Sequence, residues 1–258
     1  MGKFTRTYTM RLFDFGGDYA PKYTSVLTYF QECFAELCKK HRMTGVDLRE
    51  KGLMWIISNI NIEYLDTLPR WNEDLRIEIW FSEIKKLRAF LEFRAYKGSA
   101  VVAHGDSCFF VLDMKSRKPV SINEILKDCE VEPETIFENR KKGRLQINQT
   151  NKIGELFFKT NFNDLDYNGH VNNISYVQWG FATMPVEFLK TYKIKKCEID
   201  FHQECFIDED IQTQLYQDGN NFEFLVSRKS DNSLICKINA ATNNTEVKNG
   251  QRFKKDKI

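Results

Sequence analysis

Leu27, Phe30, Phe34 and Leu37 recur at intervals of three and four, with Val26 beside them. That spacing predicts one amphipathic helix of about 18 residues, entered from a loop over residues 14–21. Downstream the period changes. Residues 55–64, 75–81, 87–96 and 101–112 form strand-like runs, and in the second of these Leu75, Ile77 and Ile79 alternate with Arg76 and Glu78. Such alternation marks an antiparallel strand with one buried and one wet face. Beyond Pro119 the pattern dissolves into charged, turn-rich sequence, and residues 128–150, punctuated by Pro133 and Gly143, read as a connector.

The same plan then returns. A strand over 156–160 and a polar loop lead to a helix over 171–183, stopped near Pro185, and strands follow at 198–205, 211–216, 222–227 and 234–240. Thr28–Ala35 aligns with Ser175–Ala182 at an offset of 147, and Ile62–Tyr64 with Ile199–Phe201 at an offset of 137. Matching segments in a matching order of elements indicate a duplication. A long helix followed by several antiparallel strands buries its apolar face inside a curved sheet, which is the hot-dog arrangement. The expected fold class is therefore α+β, a tandem (double) hot-dog, divided into residues 1–127, a connector 128–150 and residues 151–258.

The halves differ in their polar residues. The run from Asn163 to Trp179 holds Asp166, Asn168 and His170, which the offset of 147 places over Tyr19, Pro21 and Tyr23; Glu204 falls over Thr67. The first half thus has the fold without the polar set. Gly169 permits a tight turn before the helix, and His170 stands just before or at its first turn. Unpaired N–H groups and the helix dipole there favour developing negative charge and a neutral imidazole.

Composition narrows the classes. With 42% hydrophobic residues in 258, the chain has material for a large core, and a formal net charge of +2 demands no nucleic acid. Lys85-Lys86, Arg140-Lys141-Lys142 and Lys254-Lys255 read as solvated surface or as a docking face for an acidic partner. Seven cysteines without a CxxC pair point to reduced thiols rather than a disulfide framework or zinc site. The start lacks the apolar stretch of a signal peptide, and no apolar run approaches the roughly 18 residues of a membrane span, so a cytoplasmic protein is expected. There is no Gly-x-Ser-x-Gly elbow, and Gly105-Asp106-Ser107 sits inside an apolar strand-like run. No Gly-rich phosphate loop or metal-ligand pair appears, so no cofactor and no metal are expected.

The run Asn163–Asn173 with Tyr176 and Trp179 closely resembles the signature of acyl-acyl-carrier-protein thioesterases, the tandem hot-dog family of plant plastids and bacteria. His202-Gln-Glu-Cys205 resembles that family's Arg-Arg-Glu-Cys segment, and Trp55-Ile-Ile to Pro69-Arg-Trp71 its first-half strand pair. The resemblance implies hydrolysis of fatty-acyl thioesters on acyl carrier protein, ending fatty-acid synthesis, with Asp166, Asn168, His170 and Glu204 as the catalytic set. Glu204 is expected to activate water while Asp166 positions that assembly or attacks directly. Asn168 and His170 polarise the carbonyl or hold the water, and the Val171 N–H receives the oxyanion. A rival scheme makes Cys205 the nucleophile; neighbours on a strand face opposite ways, which disfavours it. The first half is expected to shape the acyl pocket through Phe30, Phe34, Met54 and Trp55. The His202-Gln203 pair departs from the family's arginines, and the absent plastid transit peptide suggests a bacterial member. Lys141, Lys142 and Arg144, or Lys85, Lys86 and Arg88, are candidates to meet an acidic carrier. The main alternative is an acyl-CoA thioesterase on the same fold. A non-catalytic acyl-binding module would not need the whole polar set, a hydratase or dehydratase ranks last because its signature differs, and a homodimer stays open.

Overall fold

The computed structural model describes residues 2–138, 140 and 143–244. The first half runs β1 (Lys3–Thr9), α1 (Thr24–Lys40), a short α2 (Gly45–Arg49), then β2 (Leu53–Tyr64), β3 (Asp74–Lys85), β4 (Arg88–Lys97) and β5 (Ala100–Asp113). The second repeats it: β6 (Lys152–Lys159), α3 (Asn173–Ala182), α4 (Val186–Thr191), β7 (Tyr192–Phe201), β8 (Asp210–Asp218), β9 (Asn221–Arg228) and β10 (Leu234–Asn244). The pattern reading missed β1, α2 and α4. Edge strand β1 is half wet on both faces, and the two helices are too short to display a period.

The ten strands among the described residues join one antiparallel sheet in the order β1-β3-β4-β5-β2-β7-β10-β9-β8-β6, the same sequence read inward from either edge. The halves meet where β2 pairs with β7, with Asn61 opposite Glu198. Those two residues are 137 apart, so the pair marks an approximate two-fold axis. Each half-sheet wraps its own helix, giving the tandem hot-dog fold. Val26, Leu27, Phe30, Cys33 and Leu37 of α1 are buried, and the Phe30 ring lies 4.4 Å from that of Phe93 on β4. Burying each such large side chain contributes about 1.5–3 kcal/mol. Gly180 lets α3 settle on the sheet, since a Cβ there would lie 2.8 Å from Ile238 Cδ1. Among the described residues no helix is long and apolar enough to cross a membrane.

Backbone hydrogen bonds give the true register of the repeat. The N–H groups of Leu65 and Asp66 both reach Val102 O, as those of His202 and Gln203 both reach Ile235 O, which supports the offset of 137. Around the helices the offset is 150, not 147. Lys22 N–H donates to Asp14 O at 2.8 Å as Asn172 N–H does to Asp164 O, and the bridge Phe15–Pro21 recurs as Leu165–Val171. The error of three is close to one helical turn, so the apolar face still matched itself. Asp166, Asn168 and His170 therefore correspond to Gly16, Asp18 and Ala20. Strand β7 also ends at Phe201, so the expected strand over 198–205 is too long, and Glu204 and Cys205 lie in the loop that follows.

Candidate active site

The loop before α3 is organised by one carboxylate. Asp166 Oδ1 accepts the N–H groups of Asn168 (2.8 Å) and His170 (3.2 Å), and Asp166 Oδ2 lies 3.4 Å from Asn168 Nδ2. The Asp166 N–H closes the turn onto His170 O at 2.7 Å. Gly169 takes φ +80°, which a side chain would resist. Asn172 then caps α3, its side-chain oxygen accepting the Ile174 N–H at 2.8 Å. Asp-x-Asn-Gly-His is thus a turn that delivers an amide and an imidazole to one place.

Glu204 reaches that place from the loop after β7. His170 Nδ1 stands 3.6 Å from Glu204 Oε1, and the His170 ring packs edge-on against Phe206 at 5.2 Å. The Glu204 main-chain carbonyl accepts from Arg228 Nη2 at 2.7 Å. Its neighbour turns the other way. Cys205 is fully buried, its N–H donates to the Tyr176 hydroxyl at 2.9 Å, and burial pushes its thiol up to about 12. The opposed orientations expected of the two residues hold, but a loop rather than strand alternation produces them. One expectation fails here: the Val171 N–H donates to Cys205 O at 3.0 Å, so it has a partner and does not serve as an oxyanion donor. The bridge Leu165–Val171 draws that amide toward the 205 loop.

These groups line a cavity of about 730 Å³ whose walls come from both halves. Asp166, Asn168, His170 and Glu204 meet there with Phe34, Met54 and Trp55. Its size suits a small-molecule or acyl ligand. Trp55 is fixed by its indole N–H, which donates to Met43 O at 2.8 Å. Phe30 does not line the cavity. It sits one turn earlier on α1, packed on Phe93 and 2% exposed, and belongs to the core. The cavity also admits residues that sequence reasoning missed. Arg49 donates to Asn168 O at 3.2 Å, and Arg117 Nη2 donates to Glu204 Oε2 at 2.5 Å, both from the first half. No local signal betrays them, because each partner lies far along the chain. Burial, and then nearby Arg144, hold the His202 imidazole below its usual range, so this cavity residue is neutral at neutral pH.

Asp106 and Ser107 are buried in β5, where Asn61 Nδ2 donates to Asp106 Oδ1 at 2.6 Å, and neither lines the cavity. Of the basic clusters, Lys85, Lys86 and Arg88 sit on the β3–β4 hairpin, while Arg144 is tied to Phe201 O at 2.8 Å. Lys141, Lys142, Lys254 and Lys255 lie outside the described residues.

Two family models match the chain. Acyl-ACP thioesterase N-terminal domain covers residues 2–128, and Acyl-ACP thioesterase C-terminal domain covers residues 147–255. An acyl-[acyl-carrier-protein] hydrolase of Cuphea viscosissima is 21% identical over 96% of this chain, which spans 61% of that relative's length. The structure of an acyl-ACP thioesterase from Bacteroides thetaiotaomicron superposes with a TM-score of 0.81 at 18% identity, covering 94% of this chain and 98% of that one. A 12:0-ACP thioesterase from Umbellularia californica gives 0.83 at 18% identity with the same coverage. At such identity the two structures speak for a shared fold.

Proposed function

The chain belongs to the acyl-ACP thioesterase family, and we propose that it hydrolyses fatty-acyl thioesters presented by acyl carrier protein in the cytoplasm, releasing the fatty acid and the carrier thiol. The observation that carries this reading is the meeting of Asp166, Asn168, His170 and Glu204 at the wall of a largely apolar cavity. Binding an acyl chain alone would not need that polar set. Residues 1–127 shape the acyl pocket through Phe34, Met54 and Trp55, and residues 151–258 supply the chemistry.

In this scheme a water held between Glu204 and His170 attacks the thioester carbon. Glu204 takes the water proton, the C–S bond breaks, and the proton passes to the departing thiolate. Asn168 and His170 offer their side chains to the carbonyl oxygen as charge develops on it. Asp166 acts through the loop it holds, because both its oxygens are engaged there. Lys85, Lys86 and Arg88 offer positive charge to an acidic carrier.

Steady-state hydrolysis of matched acyl-carrier-protein and acyl-CoA thioesters, from octanoyl to octadecanoyl, tests this beside a Glu204→Ala control. Preference for the carrier series, lost in the variant, is the expected result. Equal or faster turnover of CoA thioesters would reassign the substrate, and no turnover of either would leave a binding module. Light scattering of the same sample separates monomer from homodimer.

A further inference from the structure

The turn that closes β5 holds an arginine where its backbone favours glycine. Arg117 has φ +57°, in the left-handed region that strains a side chain. The turn itself is built without that side chain. The Arg117 N–H donates to Asp113 O (2.9 Å), the Ser116 N–H to Asp113 Oδ1 (2.7 Å) and the Asp113 N–H to Lys118 O (3.0 Å). The guanidinium instead crosses to the other half. Its Nη2 donates to Glu204 Oε2 at 2.5 Å, and its Nη1 lies 3.2 Å from Met54 Sδ. The second carboxylate oxygen is left facing His170 Nδ1 at 3.6 Å.

Glu204 needs such a restraint. Strand β7 stops at Phe201, so no ladder orients the 204 side chain. Arg228 holds its main-chain carbonyl and is itself held by Glu209 (3.0 Å) and Asp231 (3.1 Å). That fixes the backbone and leaves the carboxylate to Arg117. A charge-assisted bond from a planar guanidinium restrains a carboxylate more tightly than a neutral donor would. With its side chain 52% exposed, Arg117 adds little to stability, so its contribution is geometric.

We propose that Arg117 is a positioning residue for thioester hydrolysis: the half without the polar set supplies the cation that holds one oxygen of Glu204 and presents the other to His170 and the attacking water. The inference rests on the reading of Glu204 as the group that activates water. It gives the first half a part in the chemistry as well as in the pocket.

Arg117→Gly relieves the strained turn, so its melting temperature should equal or exceed that of the wild type. Its kcat should nevertheless fall about 10- to 100-fold, the scale of a carboxylate displaced by about an ångström, with KM for acyl-carrier-protein substrate changing less than about threefold. Millimolar guanidinium ion should restore part of the turnover of Arg117→Gly and none of that of Glu204→Gln. An unchanged kcat, or a loss confined to KM, overturns the proposal. A crystal structure of Arg117→Met supplies a readout independent of activity: the Glu204 carboxylate should turn away from His170, and its staying in place sinks the idea. A wild type inert toward every thioester would refute the proposed function, while that crystal structure would still decide whether Arg117 positions Glu204.

Discussion

Asp166 and His170 are joined twice, by the Asp166 N–H to His170 O at 2.7 Å and by the His170 N–H to Asp166 Oδ1 at 3.2 Å. The carboxylate therefore holds its own loop. Asp166→Asn keeps an acceptor oxygen and should retain kcat within about tenfold. Asp166→Ala leaves two N–H groups without that partner, which costs about 1–2 kcal/mol and should lower kcat at least about 100-fold as His170 drifts. Thermal melts and steady-state kinetics on both variants check this. Equal inactivity of the two would mean that the carboxylate itself meets the substrate.

Glu204 and Cys205 should separate cleanly in kinetics. Burial pushes the Cys205 thiol up to about 12, so it stays protonated at neutral pH, whereas Glu204 faces the cavity. Glu204→Ala should lose at least about 100-fold in kcat. Cys205→Ala should keep turnover within about threefold while losing about 1–2 kcal/mol of stability from the small cavity it leaves. Insensitivity of the wild type to iodoacetamide is the accompanying check. Loss of activity in a folded Cys205→Ala would restore the thiol mechanism.

Burial of the Asp106 carboxyl should oppose folding at neutral pH. Burial is the main cause that raises its carboxyl from 3.8 to about 6, and the Asn61 amide only partly offsets it. A folded-state pKa above the unfolded one contributes stability that is present below about pH 4 and lost as pH rises through about 6. Asp106→Asn should therefore be more stable than the wild type at pH 7, by on the order of 2–3 kcal/mol, with little difference near pH 4. Urea melts at the two pH values measure it. A variant less stable at pH 7 would show that the ionised group is needed.

Phe34 and Phe30 lie four residues apart on α1 but should behave differently. Phe34 lines the cavity, so Phe34→Ala should shift preference toward longer or bulkier acyl chains, each methylene being worth about 1–3 kcal/mol. Phe30 packs on Phe93, so Phe30→Ala should cost about 3–5 kcal/mol of stability without moving the chain-length optimum. A chain-length profile and a denaturant melt of each variant test the distinction. A shifted optimum in Phe30→Ala would place that ring in the acyl site.

Much of the molecule is legible in the sequence. The stripe from Leu27 to Leu37, the alternation through Leu75, Ile77 and Ile79, the repeated order of elements and the Asp-x-Asn-Gly-His turn are local patterns, governed by helical and strand periods and by the conformational freedom of Gly169. These sufficed for the fold class and for the polar set of the second half. The tertiary structure alone decided the rest. Backbone hydrogen bonds moved the helix offset from 147 to 150, because an apolar face shifted by about one turn looks nearly the same. The end of β7 at Phe201 put Glu204 in a loop, the Cys205 carbonyl took up the Val171 N–H, and Phe93 claimed Phe30 for the core. The Arg117–Glu204 contact joins residues 87 apart, and only the pairing of the two half-sheets brings them together. Such contacts leave no trace in any short window of sequence, since the partner of each group is chosen by folding rather than by its neighbours in the chain.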